Sequence, residues 1–237
     1  MNTKLGFLLS ALALAACSKT VDDSATAITT ERNEQVANSG ILEQADPLWA
    51  LSQKGLIAKP EGQIKDDDGN VIWDFESFNF LEGDAPAVVN PSLWMQARLN
   101  NQPGLYKVRD RVYQLRGFDL ANMTLIEGKT GWIVVDTMTN EEVAGFAMEF
   151  IKEHLGDKPV KAIIFTHSHV DHFGGALAVA TPEEVKQQGI KVVAPSGFMH
   201  EATSENVMVG PAMSRRSAYM YGKDLKRSPK GMVGNGL

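Results

Sequence analysis

The pattern of apolar and polar residues predicts two β-hairpins in the middle of the chain. Each hairpin has two short apolar runs around a polar turn: Tyr106–Val108 with Val112–Leu115, and Met123–Ile126 with Trp132–Val135. Runs rich in β-branched and aromatic residues are typical of strands, and short polar turns join such strands into hairpins. An earlier polar stretch, Asp66–Asn70, predicts a third turn. A calcium loop is the alternative there, but its glycine would fall at Val71, whereas the sequence has Gly69.

Helical and strand patterns alternate in the second half of the chain. Helices are predicted at Asn90–Leu99, Thr139–Gly156, Gly174–Ala180 and from Thr181 onward, and strands at Val160–Phe165 and Ile190–Ala194. In the second of these helices, Thr139 is the predicted N-cap and Glu142 the N3 residue of a capping box. Antiparallel strands followed by alternating helices and strands predict a mixed α/β fold with helices outside the sheet.

Length and charge narrow the class of protein. The 237 residues are 43% hydrophobic and 22% charged, which suits one large domain or two small ones. The net charge of -6 argues against nucleic acid as a partner, because the phosphate backbone attracts basic proteins.

Residues 1–17 predict a lipoprotein signal peptide. Lys4 precedes an apolar run that is too short to span a bilayer. Leu14-Ala15-Ala16-Cys17 resembles a bacterial lipobox, in which the cysteine is acylated and begins the mature chain. Acylation of Cys17 would anchor the protein to a membrane of the bacterial cell envelope, facing the periplasm. Ordinary secretion, with cleavage near the same alanines, is the alternative.

The rest of the chain divides by composition into three segments. Residues 18–40 are rich in polar side chains and predict a tether. Residues 41–105 predict an N-terminal arm that packs on the body, with a helix that includes Leu48, Trp49, Leu51 and Leu56. Residues 106–237 are the predicted body.

Three of the five histidines lie within six residues, directly after the predicted strand Val160–Phe165. The end of a strand in an α/β sheet is a common location for functional sites. His167 and His169 are two apart, so an extended backbone points both rings to the same side. Asp171 and His172 follow as the chain turns. Imidazole and carboxylate suit zinc, and also iron or manganese, so the cluster predicts a metal site, although a lone histidine would be a satisfied polar residue.

The motif His167-Ser168-His169-Val170-Asp171-His172, called the metal loop below, has the form His-x-His-x-Asp-His. In this it resembles the metallo-β-lactamase superfamily. Further stretches make the chain similar to one branch, the alkylsulfatases or type III sulfatases. The stretches that carry this resemblance are Asn90–Tyr106, Tyr113–Asp136, Thr166–Gly175 and Gly197–Gly222. The resemblance covers the chain from about Trp73 to its end.

This resemblance implies an αββα sandwich and a hydrolase with two zinc ions. His167 and His169 would bind one zinc, and Asp171 and His172 the other, with Asp171 also assigned to catalysis. The implied reaction releases sulfate from a linear alkyl ester such as dodecyl sulfate, through water activated between the metals.

The resemblance also implies ligands that the loop does not contain. In alkylsulfatases, two glutamates and a further histidine follow far downstream, and His200 is not at the position that the family uses. The family continues with the second half of the sandwich, a dimerisation region and a C-terminal domain. We therefore expect this chain to hold the N-terminal half of the sandwich and the arm. Homodimers are expected of the full-length form. This chain by itself is expected to bind metal weakly and to hydrolyse no substrate.

Three sets of residues leave alternatives open. Asp136, at the end of a strand, either supports the metal loop or is a plain cap. Arg215 and Arg216 either bind a sulfate group or lie on an exposed helix face or in a structural ion pair. Four residues either line an alkyl pocket or pack in a helical core: Met208, Met213, Met220 and Tyr221.

Two other functions remain as alternatives to an alkylsulfatase. One is another hydrolase of the same superfamily, such as a lactamase or a thioester hydrolase. The other is a lipoprotein without catalytic activity that binds a metal through the loop or a lipid through its apolar helices. The small number of ligands in the loop favours the second of these.

Overall fold

The computed structural model describes residues 24–40, 42 and 45–234. The predicted signal peptide and its acylation site Cys17 lie outside these residues. No helix of the described part combines the length and apolar character needed to cross a membrane.

Nine strands, nine α-helices and a π-helix follow one another in the described part of the chain. In chain order they are α1 (Ala27–Ala37), α2 (Ala45–Ser52), β1 (Leu56–Ala58), β2 (Gln63–Lys65), β3 (Val71–Asp74), α3 (Pro91–Asn100), β4 (Gly104–Arg109), β5 (Val112–Arg116), β6 (Met123–Glu127), β7 (Trp132–Val135), α4 (Glu141–Leu155), β8 (Val160–Ile164), α5 (Val170–Phe173), α6 (Ala176–Val179), α7 (Pro182–Gln188), β9 (Lys191–Val193), α8 (Phe198–Thr203), the π-helix Ser204–Met208 and α9 (Gly210–Tyr221).

A seven-stranded mixed sheet organises the fold, with strand order β1-β4-β5-β6-β7-β8-β9. Neighbouring strands in the series β1-β4-β5-β6-β7 pair antiparallel, and both predicted hairpins are confirmed as β4–β5 and β6–β7. β8 and β9 then add in parallel, since helices connect them to the strand before. The predicted mixed α/β class is therefore confirmed. The carboxyl ends of β7 and β8 lie side by side at one edge of the sheet, where the metal loop begins.

The predicted turn at Asp66–Asn70 is also confirmed. It joins β2 to β3 in a separate two-stranded sheet. The Asp66 carboxylate accepts hydrogen bonds from the backbone N–H groups of Asp68 and Asn70 and from the Asn70 amide. These bonds within the turn occupy the aspartate and give the turn its shape.

The main core lies between the sheet and α4. The fully buried side chains from the strands include Leu115, Leu125 and Val134, and helix α4 adds Val143 and Ile151. This arrangement follows from the spacing of apolar residues along α4, which places them on one face of the helix. A smaller cluster around Trp94 is formed by residues of the N-terminal arm together with Val233. The arm is joined to the main sheet through β1, which pairs with β4.

One prediction for the N-terminal segments needs correction. The helix predicted through Leu56 ends at Ser52, and Leu56 instead begins β1 because it pairs with Tyr106. The segment predicted as a tether contains α1, which is capped by Thr26 and whose Asn33 donates a hydrogen bond to the carbonyl of Ala87. The role of residues 18–40 as a tether stays a prediction.

The predicted start of α4 is wrong by one residue. Asn140 is the N-cap, because its side-chain oxygen accepts from the N–H of Val143 at 2.9 Å. The Thr139 side chain is instead directed to the buried Asp119 carboxylate, to which its hydroxyl donates at 3.0 Å. The predicted end at Gly156 is confirmed.

The helix predicted at Gly174–Ala180 is divided in the structure. α5 begins earlier, at Val170, and α6 follows after a break at Gly174 and Gly175. At this break the chain passes against the backbone of residues 137–140, since a Cβ on either glycine would overlap carbonyl oxygens there. The following helix, α7, starts as predicted, with Thr181 as its N-cap, and the structure adds a complete capping box of Thr181 and Glu184.

Candidate metal centre

The structure brings the four predicted metal ligands together in the loop after β8 and the first turn of α5. The ring centroids of His167 and His169 are 4.6 Å apart, and those of His167 and His172 are 4.0 Å apart. The Asp171 carboxylate lies 3.3 Å from Nε2 of His172. Three imidazoles and one carboxylate thus share a small volume at the edge of the sheet.

Asp136 holds the loop from the end of β7. It is 6% exposed, and its carboxylate accepts hydrogen bonds from the N–H and the hydroxyl of Thr166, both at 2.8 Å. The same carboxylate lies 2.8 Å from Nδ1 of His172. Of the two alternatives for Asp136, the structure shows support of the loop. The parallel pairing of β7 with β8 places Asp136 beside Thr166, although they are far apart in sequence.

These contacts determine which ring nitrogens are free in the neutral imidazoles. A carboxylate only accepts hydrogen bonds, and Asp136 lies closer to Nδ1 of His172 (2.8 Å) than Asp171 lies to Nε2 (3.3 Å), so the proton of the neutral ring is on Nδ1 and faces Asp136. The hydroxyl proton of Thr166 goes to Asp136, so the Thr166 oxygen accepts from Nδ1 of His167 at 3.0 Å. Both histidines therefore keep Nε2 free of a proton, which is the state that a metal ligand requires.

The electrostatics of the loop favour a neutral ring at His167. Burial lowers the pKa of His167 below its usual value of 6.5, and a positive charge on His172 or His169 would lower the pKa further. The carboxylates of Asp136 and Asp171 oppose this shift but do not reverse it.

Asp119 is a buried site residue that the sequence analysis missed. It is 8% exposed, and its carboxylate accepts hydrogen bonds from the N–H of Thr139 at 2.5 Å, from the Thr139 hydroxyl and from the N–H of Leu120. The same segment carries Thr137, whose N–H donates to the carbonyl of His172 at 2.9 Å. Asp119 therefore fixes the backbone against which the metal loop rests. An aspartate directly after Phe118 in an otherwise apolar region was the signal available in the sequence.

Burial raises the pKa of Asp119 above its ordinary value of 3.8. A carboxyl group whose pKa is raised by folding contributes stability that is fully present below pH 3.8 and lost as the pH rises through the raised pKa. We therefore expect the free energy of unfolding of wild type, minus that of Asp119→Asn, to be largest near about pH 4 and to decrease toward neutral pH. Urea unfolding over this pH range measures it. Asp110→Asn is the control, because the Asp110 side chain is 88% exposed. Its free energy of unfolding should differ from that of wild type by a nearly constant amount over this pH range.

The loop fits a metal ion by its donors, and the described residues supply only part of a ligand set. The unprotonated nitrogens of His167 and His172 and the carboxylate of Asp171 have the chemistry of zinc ligands. Among the described residues, however, no three histidine, cysteine, aspartate or glutamate side chains are placed as a group that could hold a metal ion. The loop therefore offers pairs of donors.

The comparisons with known proteins agree with this picture. Residues 116–226 match the family described as the metallo-beta-lactamase superfamily. An (R)-specific secondary-alkylsulfatase from Pseudomonas sp. is 44% identical over 214 residues, which are 90% of this chain and 32% of that protein. An alkyl/aryl-sulfatase from Saccharomyces cerevisiae is 46% identical over 88% of this chain and 32% of that protein. The chain belongs to the alkylsulfatase branch of the metallo-β-lactamase superfamily.

A solved structure from the same branch shows the same fold. The stereoselective inverting sec-alkylsulfatase from Pseudomonas sp. superimposes with a TM-score of 0.80 at 42% identity, over 90% of this chain and 34% of that protein. This superposition confirms the predicted fold. The predicted incompleteness is confirmed as well, because the chain spans about a third of the length of these alkylsulfatase relatives. Members of this superfamily generally bind metal ions, and the alkylsulfatases are hydrolases.

The other predicted site residues lie on α9 and the π-helix. Arg215 and Arg216 are exposed on α9, and their role in sulfate binding stays a prediction. Core packing was one alternative for four apolar residues, and it is wrong for the described part of the chain: Met208, Met213, Met220 and Tyr221 are 77%, 37%, 55% and 41% exposed. In the described part of the chain these four side chains therefore lie at the surface of the π-helix and α9.

Proposed function

We propose that the protein hydrolyses alkyl sulfate esters to an alcohol and sulfate, with zinc ions held by the His167–His172 loop. The observation that carries this proposal is the loop itself, with Asp136 holding His172 in the tautomer of a metal ligand, in a chain of the alkylsulfatase branch. The names of the two relatives specify secondary alkyl and aryl substrates, and a further relative from Pseudomonas sp. is named a linear primary-alkylsulfatase. We therefore take linear alkyl sulfates such as dodecyl sulfate as the first class to test.

In this proposal, His167 and His169 hold one zinc ion, and Asp171 and His172 hold the other. When bound, such a metal pair polarises the ester and makes a nucleophile available near neutral pH. The protein's own part is orientation. Asp136 and Thr166 fix the rings of His172 and His167, and the lowered pKa of His167 keeps that ring neutral near pH 7.

An apolar depression beside the loop supports an alkyl substrate. It has a volume of about 450 Å³, and its lining includes Phe165, Val192, Phe198 and Met199. Phe165 directly precedes Thr166, so the depression begins next to the metal loop. The remaining part of the substrate is anionic, and the net charge of -6 repels it at long range. We propose that bound zinc, with Arg215 and Arg216, offsets this repulsion.

The proposal is tested in a chimera in which this chain replaces the aligned third of the Pseudomonas secondary-alkylsulfatase. We expect the chimera to release sulfate from dodecyl sulfate or from a secondary alkyl sulfate, and His167→Ala/His169→Ala to abolish the release. The chain alone is expected to bind zinc weakly and to release no sulfate, because the described residues offer pairs of donors only.

Several outcomes would contradict parts of this proposal. A folded chimera that takes up zinc without hydrolysing sulfate esters would support a metal-binding protein without catalytic activity. Hydrolysis of a β-lactam or a thioester instead would support another hydrolase of the superfamily. Two tightly held zinc ions in the chain alone, by elemental analysis, would show that its ligand set is complete.

We also propose that acylation of Cys17 anchors the protein in the cell envelope. Expression of the full chain in a bacterium is expected to give protein in the membrane fraction, extractable by detergent and carrying the mass of attached acyl chains. Cys17→Ser is expected to lose both the added mass and the membrane fractionation, and Ser10→Ala serves as the control. Membrane association of Cys17→Ser equal to wild type would contradict the anchor.

A further inference from the structure

The remaining histidine of the loop, His169, has a carboxylate partner of its own, from a distant part of the chain. Oε1 of Glu205 lies 3.0 Å from Nε2 of His169. His167 and His172 are held through Nδ1, whereas His169 is contacted on the opposite nitrogen. A carboxylate only accepts hydrogen bonds, so this contact favours a proton on Nε2 and leaves Nδ1 of His169 unprotonated.

Glu205 is directed to the loop by an unusual helical turn. It lies in the π-helix Ser204–Met208, which is closed by the bond from the N–H of Val209 to the carbonyl of Ser204 at 3.1 Å. The Glu205 side chain is only 24% exposed, while the apolar neighbours Val207 and Met208 are 72% and 77% exposed. Withdrawing a carboxylate from water while apolar groups remain exposed is unfavourable without a compensating partner, and His169 is that partner. Single π-turns inside helices are often found at functional sites.

We infer that Glu205 is a positioning residue that makes Nδ1 of His169 the metal-binding nitrogen. This inference rests on the proposed metal site. In it, the Glu205 carboxylate accepts the Nε2 proton and holds the ring, just as Asp136 holds His172 through the opposite nitrogen. Partners of this kind fix the tautomer and orientation of a ligating imidazole. Residues 204–208 thereby become part of the metal site.

Imidazole ¹⁵N NMR spectra of the metal-free full chain at pH 8 test the inference. Glu205→Gln is expected to move the ring-nitrogen signals of His169 and to leave those of His172 unchanged. Glu201→Gln is the matched control, because Glu201 lies on the neighbouring helix and contacts His200 instead. Identical His169 signals in wild type and Glu205→Gln would overturn the inference.

Zinc titration gives the second readout. Competition with a chelator is expected to show at least about 10-fold weaker zinc binding in Glu205→Gln, the lower end of the usual effect of such partners, and no change in Glu201→Gln. In the zinc-loaded wild type, the His169 nitrogen shifted by the metal should be Nδ1. A metal shift on Nε2, or unchanged affinity in Glu205→Gln, would overturn the inference. If wild type takes up no zinc, the proposed function fails, and the metal-free spectra still decide whether Glu205 holds His169.

Discussion

Gly175→Ala is expected to lower the free energy of unfolding by about 3 kcal/mol, the upper part of the range for overpacking. A Cβ at Gly175 would overlap the carbonyl oxygen of Thr137 and would lie 2.5 Å from both the carbonyl oxygen of Asn140 and the Cβ of Ala144. None of these atoms is the end of a flexible side chain, so the backbone must move. Urea unfolding followed by circular dichroism measures the loss.

The same substitution is expected to weaken zinc binding. The new methyl group would displace the backbone of residues 137–140, which directly follows Asp136. In this segment, the N–H of Thr137 donates to the carbonyl of His172. Gly145→Ala is the matched control, because among the described residues the new Cβ would have only the Cβ of Ala178 near it, at 3.9 Å. That control is expected to be neutral or up to about 1 kcal/mol stabilising, since alanine is preferred to glycine within a helix. Equal stability of Gly175→Ala and Gly145→Ala would show that the close approach at the glycine pair is not required.

Asp136→Asn is expected to weaken zinc binding by about 10- to 100-fold. Asn tolerates the left-handed backbone of this position, where φ is +59°, so the substitution mainly replaces a carboxylate oxygen by an amide group. The amide oxygen can still accept from Thr166. The amide nitrogen is a donor, however, and would face either the N–H of Thr166, which is also a donor, or both the Thr166 hydroxyl and Nδ1 of His172. In the second case His172 must carry its proton on Nε2, where a metal would bind.

Stability should fall as well in Asp136→Asn, by about 1–3 kcal/mol, because a buried hydrogen-bond partner is lost. Chelator competition measures the zinc affinity, and urea unfolding of the metal-free protein measures the stability. Asp157→Asn is the control, since Asp157 is 75% exposed and pairs with Lys152. Unchanged zinc affinity in Asp136→Asn would mean that His172 is not a ligand or does not depend on this contact for its orientation.

The elements predicted correctly are those specified by local patterns. Both central hairpins, the turn at Asp66–Asn70 and the start of α7 at Thr181 depend on residues within a few positions of one another. The four residues of the metal loop are also close in sequence, so their proximity could be predicted from spacing and chain direction alone. The resemblance to alkylsulfatases rests on the same local stretches, and the comparisons confirm it.

Predictions that depended on distant partners were wrong or incomplete. Thr139 has the sequence signature of an N-cap, but the buried carboxylate of Asp119 takes its hydroxyl, and Asn140 becomes the cap. The helix expected across Gly174 and Gly175 is interrupted because the 137–140 backbone passes too close to it. The methionines of α9 have helical spacing, yet spacing alone does not show whether another element covers them.

The sequence by itself therefore determined the two central hairpins, strands β8 and β9, most helix positions and the branch of the superfamily, and it placed the four candidate ligands in one loop. Only the tertiary structure decided how those ligands are oriented. Asp136 meets His172 because β7 and β8 pair in parallel, and Glu205 meets His169 through a π-turn that no residue pattern announced. The physical reason is that a hydrogen bond between distant residues depends on strand register and packing, which a local pattern does not contain.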